Sequence, residues 1–246
     1  MTGASQNEPT VVPLMTREIV AMMLIGSRRG LSARKISLLG ARFDVTANAL
    51  RVALFRMVAT GEVVANDRSY RATSRLSLAS LGWSHALTTI EPWNGRWQMI
   101  VGTPASADPS VAGRLLSAGF AEYCDRVWLC PSSRGPIEGT GNHFVVTPEE
   151  DSCRLAERLW ALREWNARAG WFNRQCNLAV VNEDCKNGMG SPLQLAIGAY
   201  AHLHTAPRLP RELLPHGWLD DELLAVTDNL MDRLVANVAR WRQVLR

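Results

Sequence analysis

Nine side chains between residues 34 and 71 have the chemistry to hold a polyanion and to read it. Arg34, Lys35, Arg42 and Arg56 offer cations to phosphate oxygens. Thr46, Asn48 and Arg51 offer the hydroxyl, amide and guanidinium groups that pair with base edges in a major groove. Arg68 and Arg71 flank a short polar turn, where they suit a wing touching the backbone. Phosphate contacts set affinity and register, and base-edge contacts set sequence preference.

Such residues act together only if regular elements present them together. The segment 46–60 has no Gly or Pro and opens on Thr46, a favourable N-cap. At about 100° per residue, Ala47, Leu50, Leu54, Met57 and Val58 fall on one face. Asn48, Ala49, Val52, Phe55 and Arg56 fall on the other, with Arg51 on the shoulder. A groove-reading helix needs this division, with an apolar stripe for its own core and small, polar and cationic residues outward. Gly61 suits the residue that ends such a helix. Val63 and Val64 begin a strand, Asn66-Asp67 is turn chemistry, and 69–73 returns. Upstream, Ser32 can cap a helix that ends near Gly40, and the apolar run 16–25 predicts a first helix packed on the next two. The order over 15–80 predicts a winged helix-turn-helix after a disordered tail, 1–14. The plain alternative is a helical hairpin with a solvated basic face.

Composition fits this division of labour. The chain has 246 residues, 47% hydrophobic and 20% charged, as in a folded globular protein. Residues 1–75 carry 11 Lys/Arg against 5 Asp/Glu, and the remainder carries 16 against 18. A basic head on a near-neutral body suits a polyanion-binding module joined to a ligand-binding or dimerising body. All nine tryptophans follow that head.

The middle region, 90–180, predicts strand, helix, strand, strand: 97–101, 110–118, a strand opening at Gly119-Phe120, and 126–129. A further short strand over 143–146 follows a Gly/Ser/Pro loop. This order predicts a small ferredoxin-like α+β layer. A long amphipathic helix, or two, covers 149–172. Its arginines and tryptophans recur together, and Arg163, Trp165, Arg168 and Trp171 are candidates for binding an aromatic anionic effector. The alternative is a surface helix with a Trp-lined core side. The segment 190–246 predicts an α-helical C-terminal domain. Its last helix bears an apolar stripe of Leu223, Leu224, Val226, Leu230, Leu234, Val238 and Trp241, for a core or a dimer interface.

No catalytic constellation stands out. His202 and His204 lie two apart on a helix, so their rings face different ways, and no metal is expected. Gly139-Thr140-Gly141 has no following Gly-Lys-Ser/Thr. The five cysteines, Cys124, Cys130, Cys153, Cys176 and Cys185, have no zinc-site or CxxC spacing. They read as reduced, mostly buried thiols of a cytoplasmic protein. No apolar run is long enough to span a membrane, and the N-terminus has no signal pattern. No catalytic residue and no cofactor is expected.

Three segments resemble the PaaX family, repressors of bacterial phenylacetate catabolism. They are LRVALFRMVATGEV at the second helix and wing, WNGRWQMIVG with GFAEYCDRVWLCP in the middle, and RLPRELLPHGW near the C-terminus. The resemblance implies a winged helix, a ferredoxin-like domain similar to small CRISPR-associated nucleases, and a helical C-terminal domain. It also implies a homodimer that binds a palindromic double-stranded operator and leaves it when a pathway intermediate binds. In the best-known members of that family the inducer is phenylacetyl-CoA; another aromatic acid or its CoA thioester fits this chain as well. The middle domain should be inactive as a nuclease, because strand 97–101 has no acidic residue at its end. The expectation is therefore a ligand-responsive transcriptional repressor of an aromatic-compound catabolic operon. The alternatives are an enzyme, or a non-sensing partner-binding protein, in which the winged helix is only structural.

Overall fold

The structure, a computed structural model, describes residues 14–27, 29–85, 92–102, 109–131, 141–181 and 190–244. Residues 1–13 of the expected tail 1–14, Arg28, residues 103–108 and 132–140, and Cys185 lie outside these residues. The chain is mixed helix and sheet, of the α+β class.

It divides into two compact units, which interleave along the sequence. One comprises 1–86, 168–205 and 219–246; the other comprises 87–167 and 206–218. This corrects the three consecutive domains expected over 15–80, 90–180 and 190–246. Hydrophobic periodicity finds helices but not which distant helix each one meets. Here the C-terminal helices join the N-terminal ones.

The first unit begins with α1 (Thr16–Leu24), α2 (Ala33–Gly40) and α3 (Ala47–Ala59). A hairpin follows, β1 (Val63–Asn66) and β2 (Ser69–Ala72). In α1 every residue from Ile19 to Leu24 is buried. A helix apolar all round needs neighbours all round, and α1 packs on α2, α3, β2 and the C-terminal helix. Its first turn is held by the Met15 N–H, which donates to the Glu18 carboxylate at 2.8 Å. Ser32 caps α2 by accepting from the Lys35 N–H, and Thr46 caps α3 by accepting from the Ala49 N–H. Between the two helices, one 3-10 turn (Ala41–Phe43) and a left-handed Asp44 reverse the chain. Gly40 lets α2 approach α3 closely, since a Cβ there would lie 2.4 Å from Leu50 Cδ1.

The inward stripe of α3 differs slightly from expectation. Leu50, Ala53, Leu54 and Met57 are buried, while Ala47 and Val58 stay exposed. The neighbouring helices close over the middle of α3 and not its ends. The hairpin turn is Asp67-Arg68, with Asn66 still paired to Ser69. Leu31 adds a third, single-residue strand, exchanging both backbone hydrogen bonds with Tyr70 at 2.8 Å each.

The rest of this unit is the C-terminal part of α6 (Leu162–Val181), with α7 (Gly190–Leu203) and α8 (Asp220–Val244). α7 and α8 pack together, and α8 continues onto α1 and α2. The buried stripe of α8 is Leu223, Val226, Thr227, Leu230, Met231, Leu234 and Val238. Leu224 and Trp241, expected in it, are half-buried. Between these helices the Tyr200 hydroxyl donates to Asp228 at 2.6 Å, and burial raises that phenol above its ordinary pKa. Burial likewise pushes the Cys176 thiol up to about 12, so it is an inert core residue.

The second unit holds a four-stranded antiparallel sheet in the order β4-β5-β3-β6. Its strands are β3 (Trp97–Val101), β4 (Ala121–Cys124), β5 (Val127–Cys130) and β6 (Asn142–Val146). α4 (Pro109–Ser117) connects β3 to β4, and β5 lies between them, a split βαβ unit. Ile100, Leu115, Phe120, Trp128 and Cys130 form its core. Arg126, expected to start β5, has φ 60° and belongs to the turn before it. The helical stretch after the sheet is two helices, α5 (Ser152–Trp160) and α6, broken by a left-handed Ala161.

Candidate nucleic-acid interface

Elementary geometry decides what α3 can present. Its buried residues occupy one side, which leaves Asn48, Arg51, Val52, Phe55 and Arg56 exposed on the other. Arg51 Nη1 donates to Asn48 Oδ1 at 3.3 Å, one turn away. The pair is pre-set on one surface, with its remaining donors and acceptors outward. Thr46 is exposed at the N-terminus of the helix, where its hydroxyl is already engaged as the cap.

The other predicted residues surround this helix within the same unit. Arg34 is exposed and Lys35 half-exposed in the first turn of α2. Arg68 is at the hairpin tip and Arg71 on β2, paired across to Val64, and both are exposed. Among the described residues, none of the ion pairs uses Arg34, Lys35, Arg56, Arg68 or Arg71. Asp67 beside Arg68 reduces the net charge of the tip.

Arg42 is placed differently from the others. Its guanidinium lies over the Trp241 ring of α8, 5.3 Å from the centroid. That contact ties the turn after α2 to the C-terminal helix. Arg17 is also tied down, with two hydrogen bonds to Glu62, one of them 3.1 Å from Nε. The hydrogen bond from Arg17 holds the Glu62 carboxyl below its ordinary pKa.

The hairpin is fixed to the helices at its base and along its side. Thr73 Oγ1 donates to the Gly61 carbonyl at 2.8 Å, and the Thr73 N–H donates to Glu62 O at 2.9 Å. Gly30, at φ 73°, brings Leu31 onto Tyr70; a Cβ there would lie 2.6 Å from the Tyr70 carbonyl oxygen. Gly30 thus meets two demands that only glycine meets, a left-handed backbone and a close approach.

Sequence reasoning placed Phe55 outward on α3 but assigned it no role. It is the one aromatic residue of α3, and it is 76% exposed. Arg242 was missed altogether. Its Nη2 donates to the Met22 and Ile25 carbonyls at 3.2 and 2.7 Å, capping the C-terminus of α1. Burial lowers its pKa from the ordinary arginine value. No local signal marks an arginine that caps a helix from the far end of the chain.

The four effector candidates fall in different surroundings, two in each unit. Trp165 is buried and stacked on Trp218, with centroids 4.4 Å apart and 19° between planes. Arg163 is exposed and pairs with Glu157 at 3.6 Å. Arg168 is exposed, and Trp171 lies edge-on to Phe172 at 5.0 Å. Trp165 therefore has one face already covered. Its cover comes from the RLPRELLPHGW segment, whose Leu209, Leu213 and Trp218 are all buried. Asn166 Nδ2 bonds the Gly217 carbonyl at 3.0 Å in the same unit. His202 is buried and stacks on Phe172, while His204 faces His85, Nδ1 to Nδ1, at 3.3 Å. Among the described residues no group of three or more His, Cys, Asp or Glu could hold a metal ion. None of their helices is long and apolar enough to cross a membrane.

No protein-family model matches the chain, and no curated protein matches it. Among solved structures it is similar to the uncharacterized protein Rv0674 from Mycobacterium tuberculosis. The TM-score is 0.64 and the identity 24%, over 93% of this chain and 99% of that one. At that identity the likeness speaks for a common fold alone.

Proposed function

We propose that this protein is a transcriptional repressor that binds operator DNA through a winged helix-turn-helix formed by α1–α3 and the β1–β2 hairpin. The observation that carries the reading is the outer face of α3. It presents Asn48, Arg51 and Arg56 together on a capped, well-packed helix, with Arg34 and Lys35 beside it and Arg68 and Arg71 on the hairpin. This is the donor set that major-groove and phosphate recognition requires. The Leu31 strand and the Gly30 approach support the hairpin as a wing. In the second unit, the strand order is the one a ferredoxin-like layer has.

We further read the protein as a cytoplasmic homodimer of the PaaX family acting on a palindromic operator. An aromatic acid or aromatic acyl-CoA inducer would release it. The three sequence segments similar to that family support this reading, and the fold shared with a solved structure is compatible with it. Binding is its work; we assign it no catalytic step.

The test is a gel-shift titration on DNA upstream of its own gene and its neighbours, with and without phenylacetyl-CoA, related aromatic acyl-CoAs and the free acids. Tight binding that weakens steeply with salt is expected, because several phosphates are neutralised. One compound should release it. No binding even at low salt would overturn the reading. Within this assay Arg51→Ala should cost about 1–3 kcal/mol of operator binding. Unchanged affinity would remove Arg51 from the reading set.

A further inference from the structure

We infer that Val52 and Phe55 are specificity-determining residues that read thymine methyl groups in the operator. The inference rests on the DNA-binding reading above and deepens it.

Val52 is 44% exposed and Phe55 76% exposed. At about 100° per residue the two lie within one sector of α3, flanked by Arg51 on one side and Arg56 on the other, with Asn48 in the same sector one turn toward the N-terminus. Single exposed apolar residues are ordinary. Two adjoining ones in the middle of a polar, cationic helix face need an apolar partner that is itself set in negative charge. The thymine C5-methyl is that partner, the one apolar group on the major-groove edge of a base pair, flanked by phosphates. A second copy of this chain fits worse. A two-fold contact through this face would bring Arg51 and Arg56 against their own counterparts.

The probe is a duplex enriched from a random-sequence pool by the full-length protein. It is resynthesised with each thymine in turn replaced by deoxyuridine, which removes the methyl and nothing else. Titrating wild type and Phe55→Ala on each duplex gives a thermodynamic cycle per methyl. Phe55 is exposed, so the variant is expected to keep its fold, which circular dichroism checks; Phe55→Leu, which keeps an apolar side chain, is the second variant. At one or more thymines, removing the methyl should weaken wild type about fourfold, the effect of one buried methyl-sized group. It should change Phe55→Ala little, and Phe55→Leu should retain part of the sensitivity. Arg34→Ala should bind more weakly overall yet keep the wild-type methyl pattern.

Equal losses in wild type and Phe55→Ala, or no methyl-sensitive thymine, would overturn the inference and leave DNA binding standing. A change in oligomeric mass on Phe55→Ala, with base preferences intact, would also overturn it and make the patch a contact between copies. Failure of the wild type to enrich any duplex, with no binding at low salt, would overturn the DNA-binding reading and this inference together.

Discussion

Exposed charge alone does not identify a residue that works on a partner; what matters is what each charge already touches. Arg17 and Arg51 are both arginines of the basic head, yet one is spent on Glu62 and the other presents its guanidinium from a surface helix. The Arg17–Glu62 link has a testable pH signature. Glu62 has a lowered pKa in the folded protein, so its contribution to stability is present above the ordinary carboxylate range. It is lost as pH falls through the folded value. Glu62→Gln should therefore destabilise the protein at neutral pH, and the gap should close below about pH 4. Denaturation of both proteins across that range checks it; a gap independent of pH would remove the ionic contribution. Arg17 is 39% exposed, so added salt should narrow the gap as well.

The helix ends and the hairpin show how much of an element is written locally. Ser32 and Thr46 were legible as caps because a cap needs only a hydroxyl at the right offset from the first helical N–H groups. Gly61, at φ 74°, was legible as a stop for the same local reason. Gly30 was not, because its demand comes from Tyr70 on another element. Gly30→Ala should cost about 2 kcal/mol or more. A left-handed backbone costs an alanine about 1–2 kcal/mol, and the clash with the Tyr70 carbonyl adds to it. Hydrogen exchange at the Leu31 and Tyr70 amides should speed up more than at α7 and α8. Uniform acceleration would mean that the hairpin has no separate response.

Across the first unit, the far end of the chain supports the basic head. Arg242 caps α1, Trp241 stacks under Arg42, and α8 packs on α1 and α2. Arg242→Met keeps the apolar stem but leaves the Met22 and Ile25 carbonyls without this donor. It should destabilise the chain by about 1–3 kcal/mol, the cost of buried acceptors losing their partner. Exchange at the end of α1 should rise with it. Undiminished stability would show that the cost of burying the guanidinium cancels its hydrogen bonds.

Periodicity, capping chemistry and glycine placement determined the existence of α1–α3, the hairpin, β3–β6 and α8, while β4 and β5 begin one to two residues later than expected, after the left-handed Gly119 and Arg126. Each depends on residues within a few positions of one another. The outward set on α3 was legible for the same reason, since burying Leu50, Leu54 and Met57 leaves Asn48, Phe55 and Arg56 on the opposite side. Only the tertiary structure decided that Arg42 meets Trp241, that Trp218 covers Trp165, and that the C-terminal helices belong to the same compact unit as the basic head. Those pairings join residues far apart in the chain. Apolar burial is non-directional, so an amphipathic stripe states that a face must be covered without naming its cover.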